Sequence, residues 1–271
     1  MEKPNRPIGI FDSGIGGLTV AAAIQQLLPQ EEIIYYGDTA HLPYGDKSPA
    51  LIQGYAKDIS NFLVECNCKM VVIACNTASV HAYAMLKKSL PKDILLVNVI
   101  DPVVAYVAQH HSHQKVGIIG TKGTIASGVY QRKLKKANTT LHVAGLATPL
   151  LAPMIEEGFF NDKISQTVIN SYLDNKHLTN VQAIILACTH YPLIKKQVQK
   201  YYDNKIEVID SAQIVASYIK NELETTGLLR SIAPTNAPHF YVSDYTDSFE
   251  NSTKYFFINK IHLEKKYFKN T

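Results

Sequence analysis

The sequence is informative first for what it lacks. No apolar run approaches the roughly 18 residues that cross a bilayer, which excludes a membrane-spanning helix. The N-terminus carries no apolar signal segment, so we expect a cytoplasmic protein. The 27 Lys and Arg residues only slightly outnumber the 23 Asp and Glu residues, and they are spread along the chain. This balance does not indicate nucleic-acid binding.

Cysteine is scarce as well, with four residues in a chain of 271. In a reducing cytosol these are expected to be thiols rather than disulfides. Cys66 and Cys68 form a C-x-C pair just before a predicted strand, but no further ligands with suitable spacing lie nearby. We therefore predict no metal site. The apolar content of 46% is that of an ordinary globular protein.

Short apolar runs alternate with helical patterns along the chain. Because the strands are nearly continuous apolar runs, we expect helices to cover both faces of the sheets. The predicted fold class is therefore α/β with mainly parallel sheets. The predicted strands are 8–12, 32–38, 70–75, 95–100, 115–120, 141–147, 183–188, 206–210 and 239–243. The predicted helices are 17–28, 48–66, 77–89, 101–111, 124–137, 150–157, 161–175, 191–202, 211–226 and 246–258.

A weak internal repeat divides the chain. The stretch IGIFDSGIGGLTVAAAIQQL, from residue 8, resembles VGIIGTKGTIASGVYQRKL, from residue 116. Each copy is followed, after a similar interval, by a cysteine. We predict two pseudo-symmetric α/β domains, a discontinuous one over 1–98 plus 210–271 and a second over 99–209.

Polar side chains follow several of the predicted strands. Ligands of open α/β sheets bind beyond the carboxyl ends of the strands, and Asp12, Cys75, Thr121 and Cys188 all lie at such ends. Two such faces that meet would form one cleft, a common place for a small-molecule site. We therefore predict an active site between the two domains.

Two of the cysteines occupy matching positions. Cys75 in MVVIACNTASVHAYAMLKK and Cys188 in AIILACTHYPLIKKQVQK each end an apolar run and precede a helical pattern. A free thiol has a pKa of about 8.5, so forming the thiolate at pH 7 costs about 2 kcal/mol, and a helix N-terminus or a nearby cation reduces that cost. Two thiols across a cleft would suit a reaction that moves a proton from one face of a carbon to the other. The alternative is a pair of small buried structural residues.

Further candidates stand near these thiols or at other strand ends. Asp12 begins a glycine-rich turn whose amides would bind an anion, although Asp12 would also serve as a helix N-cap alone. His190, two residues after the second cysteine, would act as a proton shuttle or thiolate partner, although a lone His is often structural. Glu156 and Glu157 form a carboxylate pair or an exposed helix end. The segment 39–46, TAHLPYGD, indicates on composition only a loop.

Together these motifs resemble the glutamate racemases, in the cofactor-independent aspartate/glutamate racemase family. The matching stretches follow the family's order over nearly the whole chain: GIFDSGIGGLTV, YYGDTAHLPYG, VVIACNTAS, VIDP, VGIIGTKGTI, PLLAPMIEEG, ILACTHYPLI and VIDSAQIVA. The paired CNTAS and CTHYP motifs are the specific ones. The resemblance implies an isomerase that interconverts L- and D-glutamate without cofactor or metal and supplies D-glutamate for peptidoglycan synthesis.

The resemblance also implies roles for single residues. Cys188 would take the proton from the L-enantiomer and Cys75 from the D-enantiomer, with help from Asp12 and His190. Glu156 matches a site carboxylate, although Glu157 adjoins it. The implied partner is the small-molecule substrate, and assembly as a homodimer is compatible with it. The implied substrate-binding positions are Asp12, Ser13, Tyr44, Gly45, Asn76, Thr77, Thr121, Thr189 and His190.

Three other functions fit part of the pattern. The same chemistry on aspartate or another amino acid is less compatible with CTHYP but stays open. A two-lobed ligand-binding protein would keep the cleft and need neither thiol. A thiol redox pair would require Cys75 and Cys188 to approach within disulfide distance, whereas thiols that flank a substrate stand too far apart.

Overall fold

The protein consists of two parallel β-sheets covered by helices. The computed structural model describes residues 2–234, 236–245, 253–254, 261 and 263–268. Within these residues, six strands form the first sheet and four form the second, and every pair of neighbouring strands is parallel. The predicted fold class is therefore confirmed.

The strands and helices follow one another in near-regular alternation. The strands are β1 (Ile8–Asp12), β2 (Ile33–Gly37), β3 (Met70–Ile73), β4 (Leu95–Asn98), β5 (Lys115–Gly120), β6 (His142–Ala147), β7 (Ala183–Ala187), β8 (Glu207–Ile209), β9 (His239–Val242) and β10 (Leu263–Lys265). The helices are α1 (Leu18–Leu27), α2 (Pro49–Glu65), α3 (Asn76–Ser89), α4 (Ile100–His110), α5 (Lys122–Ala126), α6 (Val129–Ala137), α7 (Leu151–Glu156), α8 (Lys163–Leu173), α9 (Lys195–Tyr201) and α10 (Ser211–Thr225).

The two sheets share one strand order. The first runs β10-β9-β2-β1-β3-β4 and the second runs β6-β5-β7-β8, so the order second-first-third-fourth occurs in both. The internal repeat seen in the sequence therefore corresponds to a structural repeat, with β1 equivalent to β5 and β3 equivalent to β7. The equivalence places Cys75 and Cys188 after equivalent strands.

Apolar side chains continue from one sheet to the other. A single buried cluster contains Ile8 and Val72 of the first sheet together with Ile118 and Ile185 of the second. Helix α10 connects the halves, because it follows the last strand of the second sheet and packs on α1 and α4. The strands of the first sheet lie within 8–98 and 239–265 and those of the second within 115–209. The exact domain boundaries, 1–98 plus 210–271 and 99–209, stay a prediction.

The predicted elements differ from the observed ones in a few places. The helix predicted over 124–137 is two helices, α5 and α6, because Gly128 between them has a φ of +63°, which a right-handed helix does not contain. The helix predicted over 191–202 starts as a 3₁₀ turn, Tyr191–Ile194. The charged strand β10 was not predicted. Of the helix predicted over 246–258, all but 253–254 lies outside the described residues.

Within the described part of the chain, none of the helices combines the length and the apolar character needed to cross a membrane.

A buried ion pair joins four segments of the first half. Nζ of Lys69 lies 2.6 Å from Oε2 of Glu31, and both side chains are fully buried. The same ammonium donates hydrogen bonds to the carbonyls of Pro4, at 2.6 Å, and Leu228, at 2.9 Å. Burial lowers the pKa of Lys69, and the Glu31 carboxylate opposes this shift. The N-terminal segment and the chain after α10 are thus held to the start of β3 by one cation.

We expect Lys69→Met to lower the free energy of unfolding by about 3–5 kcal/mol, because it leaves the Glu31 carboxylate buried without a counter-charge. Urea unfolding measures the change. Lys205→Met is the control, since the side chains of its pair with Asp203 are 77% and 74% exposed and the change should stay within about 0.5 kcal/mol. A loss below about 1 kcal/mol in Lys69→Met would show that the buried pair is dispensable.

Candidate active site

A cleft lies where the carboxyl ends of the two sheets face each other. It is narrow, with a cavity volume of about 40 Å³. Every predicted site residue except Asp12 contributes to its walls, and Asp12 bonds to one that does. The walls are formed by Ser13, Leu42, Pro43, Tyr44, Gly45, Cys75, Asn76, Thr77, Thr121, Ala152, Pro153, Glu156, Cys188, Thr189 and His190.

Cys75 precedes the first turn of α3 and is 5% exposed. Its Sγ accepts a hydrogen bond from the Ala78 backbone N–H at 3.4 Å, and its thiol donates to Ser13 Oγ at 3.7 Å. Burial, together with the charge of Asp12, raises the pKa of the Cys75 thiol to about 12, while the Ala78 N–H acts in the opposite direction. The helix N-terminus thus acts to lower the pKa, as expected, but burial outweighs it.

Cys188 has a different set of partners. Its Sγ lies 3.5 Å from Nδ1 of His190, and the opposite ring nitrogen, Nε2, contacts Oε1 of Glu156. The 3₁₀ turn that follows replaces the predicted α-helix, so this thiol adjoins an imidazole rather than a helix N-terminus. The neighbouring Glu157 is exposed, and the contacting carboxylate is therefore Glu156.

The buried imidazole of His190 is held as a cation. Burial alone would lower its pKa, but the charges of Glu156 and Cys188, together with hydrogen bonds to both, raise the pKa well above its ordinary value. A protonated imidazole donates from both nitrogens, which matches one partner on each side. One of these nitrogens, Nδ1, faces Sγ of Cys188.

Asp12 connects the two halves at the base of the cleft. Its carboxylate accepts a hydrogen bond from the Gly14 N–H at 3.0 Å and one from Thr189 Oγ1 at 3.2 Å. Burial raises the pKa of Asp12, whereas the positive charge of His190 lowers it. Asp12 therefore places a carboxyl group near Cys75 and in contact with Thr189, the residue after Cys188.

The glycine-rich turn after β1 allows the two halves to pack closely. A Cβ on Gly16 would lie 2.5 Å from Thr189 Oγ1 and 2.8 Å from His190 Nδ1, which a larger residue could not tolerate. The Gly14 N–H, one of the amides expected to bind an anion, bonds to Asp12 instead. The turn thus lets the loop after β7 approach the end of β1.

The polar residues that follow Cys75 are oriented by hydroxyl groups from the second half. Oδ1 of Asn76 accepts a hydrogen bond from the Tyr130 hydroxyl at 2.7 Å. Nδ2 of Asn76 is buried and has no hydrogen-bond partner among the described residues. Oγ1 of Thr77 lies 2.9 Å from Oγ1 of Thr121 and 3.1 Å from Oγ1 of Thr124. The free Asn76 donor suits a ligand carboxylate.

The loop 39–46, for which composition alone indicated no function, also reaches the cleft. The Tyr44 hydroxyl donates to Oδ2 of Asp38 at 2.5 Å, and Nδ1 of His41 lies 2.8 Å from Oδ1 of the same carboxylate. A Cβ on Gly45 would lie 2.8 Å from Thr121 Cβ, so this loop lies directly against the second half.

Sequence reasoning missed Asp38, Thr124 and Tyr130. Asp38 follows β2 in the stretch YYGDTAHLPYG, so the argument from polar residues at strand ends would have identified it. Thr124 and Tyr130 lie within helical patterns that gave no indication of a polar contact across the cleft. Among the described residues, no three His, Cys, Asp or Glu side chains are grouped to hold a metal ion.

Comparisons with known proteins agree on one family. The Asp/Glu/Hydantoin racemase family model matches residues 18–219. A glutamate racemase from Chlorobaculum parvum is 38% identical over 250 residues, which cover 92% of each chain. One from Geobacter metallireducens is 39% identical over 246 residues, 91% of this chain and 90% of that one. The crystal structure of a Francisella tularensis glutamate racemase in complex with D-glutamate superposes with a TM-score of 0.90 at 38% identity, covering 97% of this chain and 98% of that chain.

We expect Glu156→Gln to lower the pKa of His190, because it removes the carboxylate that raises it and leaves burial to act. Proton and nitrogen NMR of the labelled imidazole measures the titration. Glu157→Gln, one residue along and exposed, is the control and should leave the titration unchanged. Equal His190 titration in wild type and Glu156→Gln would contradict the assignment.

The contact between His190 and Glu156 should make the free energy of unfolding depend on pH. Because the folded-state pKa of His190 lies above the unfolded value of about 6.5, its contribution is fully present below that pH and is lost as the pH rises through the raised pKa. The difference in unfolding free energy between wild type and Glu156→Gln should therefore be larger near about pH 6 than at alkaline pH.

Proposed function

Since the chain belongs to the Asp/Glu/Hydantoin racemase family, we propose that it is a glutamate racemase in which two cysteine thiols move the α-proton of the substrate. One observation carries this proposal. Cys75 and Cys188 follow equivalent strands of two equivalent sheets, and both line the same cleft. A planar carbanion held between them would have one thiol on each face.

The substrate assignment is supported by the relatives. Those that match more than nine-tenths of this chain at 38% and 39% identity are glutamate racemases, and the Francisella tularensis structure holds D-glutamate. L-aspartate, the substrate of the rival hypothesis, is the direct comparison in any assay of the purified protein.

The two thiols begin the reaction in different states. Cys75, with a pKa of about 12, is protonated near neutral pH and is ready to act as an acid. Cys188, next to the His190 imidazolium, is prepared to act as the base. L-glutamate would therefore lose its α-proton to Cys188 and receive one from Cys75, which yields D-glutamate.

The reverse direction needs Cys75 as the thiolate. The bound substrate supplies an ammonium group, and a positive charge near the thiols favours their ionised form. The buried Asp12 carboxylate would hold this ammonium in the cleft. Cys188 and His190 would then return a proton to the opposite face.

The carbanion must be stabilised by the site itself. Removal of an α-proton places negative charge on the adjacent carboxylate, and donors aimed at that carboxylate lower the barrier. We propose that Asn76 Nδ2 and the hydroxyls of Ser13 and Thr77 supply these donors, with Tyr44, Gly45, Thr121 and Thr189 completing the substrate contacts. Because the donors are buried, water would not compete with them once the substrate is bound. No step of this mechanism requires a cofactor.

The use of the product, the domain motion and the oligomeric state stay proposals. The D-glutamate formed would supply peptidoglycan synthesis in the cytoplasm. The predicted domains, 1–98 plus 210–271 and 99–209, would open and close about the substrate. Assembly as a homodimer remains a prediction for which sedimentation is the test.

We expect Cys75→Ser and Cys188→Ser each to lower kcat for L-glutamate by about 100-fold or more, because a hydroxyl is a far weaker acid than a thiol and general acid–base catalysis contributes at least that much. Circular dichroism of the reaction mixture measures the rate. Cys66→Ser is the control, because Cys66 lies outside the cleft, and it should keep the wild-type rate.

A wild-type rate in either variant would contradict the two-thiol mechanism. A wild-type protein that binds L-glutamate but racemises neither glutamate nor aspartate would instead support the ligand-binding alternative. Cross-linking of Cys75 to Cys188 under mild oxidation, detected by mass spectrometry, would favour the redox pair.

A further inference from the structure

A tyrosine of the second half forms a hydrogen bond with a substrate-facing amide of the first half. Tyr130 lies in α6 and is 2% exposed, and its hydroxyl donates to Oδ1 of Asn76 at 2.7 Å. Asn76 is the first residue of α3, next to Cys75, and lines the cleft. The contact therefore links a residue outside the cleft walls to the site itself.

The Asn76 amide presents a donor that the described residues leave unused. Nδ2 is buried and has no hydrogen-bond partner among them. Buried polar atoms in folded proteins almost always have partners, so an unpaired N–H₂ beside a cleft indicates a ligand acceptor. A carboxylate oxygen is the acceptor that the proposed substrate would bring.

The Tyr130 hydroxyl determines which end of the amide faces the ligand. Rotation of the amide by about 180° would exchange Oδ1 and Nδ2. Nδ2 would then donate to the phenol oxygen, but the phenol hydrogen would lose its acceptor in a buried site. A buried donor without an acceptor is disfavoured, so the phenol selects the orientation with Oδ1 toward itself. Burial raises the pKa of Tyr130, which keeps that hydrogen in place.

We propose that Tyr130 is a positioning residue that holds the Asn76 amide with its N–H₂ group toward the substrate carboxylate. This inference rests on the proposed function, because it assumes an amino-acid carboxylate in the cleft. Without the phenol, the amide would also adopt the orientation in which Oδ1 opposes the carboxylate. Two partial negative charges would then face each other, and both binding and turnover would suffer.

The test is a double-mutant cycle with Tyr130→Phe, Asn76→Ala and the combined variant. Calorimetry measures the Kd of D-glutamate, and circular dichroism measures kcat/KM. We expect Tyr130→Phe to raise Kd and to lower kcat/KM by at least about twofold, because equal occupancy of the two amide orientations halves the fraction of protein that presents the N–H₂ group to the carboxylate. We expect the combined variant to be no weaker than Asn76→Ala alone, because Tyr130 acts through the amide.

The matched control is Tyr202→Phe. Its hydroxyl is also buried but has no hydrogen-bond partner among the described residues, and Tyr202 ends α9 outside the cleft walls. Removal of this hydroxyl should leave Kd and kcat/KM unchanged. A loss equal to that of Tyr130→Phe would show that any buried hydroxyl matters and would overturn the proposal.

The outcomes separate this inference from the proposed function. Unchanged Kd and kcat/KM in Tyr130→Phe, or losses that add fully to those of Asn76→Ala, would overturn the positioning role while racemisation stands. Wild-type protein that binds D-glutamate without racemising it, yet shows the expected coupling in Kd, would overturn the proposed function alone. Wild-type protein that binds neither enantiomer would overturn both.

Discussion

The hydrogen bonds across the cleft are the contacts on which the site depends. Asp12 meets Thr189 at 3.2 Å, and Asn76 meets Tyr130 at 2.7 Å, each pair with one partner in each half. Gly16 makes the approach between the halves sterically feasible. Together with the apolar cluster that continues from one sheet to the other, these contacts keep both thiols on one cavity. The contacts are polar, so water would replace them under the proposed opening of the cleft.

The two halves share one topology, but their two thiols have different surroundings. The strand order is the same in both halves, and the cysteines follow equivalent strands. Cys75 nevertheless contacts a backbone N–H and a serine hydroxyl, whereas Cys188 adjoins an imidazolium that is paired with Glu156. In the proposed mechanism the first thiol begins as the acid and the second as the base. Under the proposed mechanism each turnover exchanges these two states, so the free enzyme must return to its starting state or accept the opposite enantiomer.

The sequence was most informative where local patterns determine structure. The apolar run 115–120 and the periodic stretch over 211–226 predicted β5 and α10 to within a residue, and strand-end polarity indicated the cleft. The single helix predicted over 124–137 failed at Gly128, whose left-handed conformation is not visible in an apolar pattern. The hydroxyl of Tyr130 and the buried charge of Lys69 were missed because their partners are distant in sequence. The pKa of Cys75 depends on burial that only the packed structure reveals.

The central claim is that protons arrive at opposite faces of the substrate from two different groups. The most direct test incubates wild-type protein with L-glutamate in D₂O, stops the reaction early, separates the two enantiomers by chiral chromatography and measures the α-deuterium of each by mass spectrometry. Cys188 would remove hydrogen from L-glutamate, and Cys75, exchanged with solvent, would deliver deuterium to the other face. The account therefore expects newly formed D-glutamate to carry α-deuterium while the remaining L-glutamate carries none. Deuterium entering the remaining L-glutamate as fast as D-glutamate forms would indicate a single base and contradict the account.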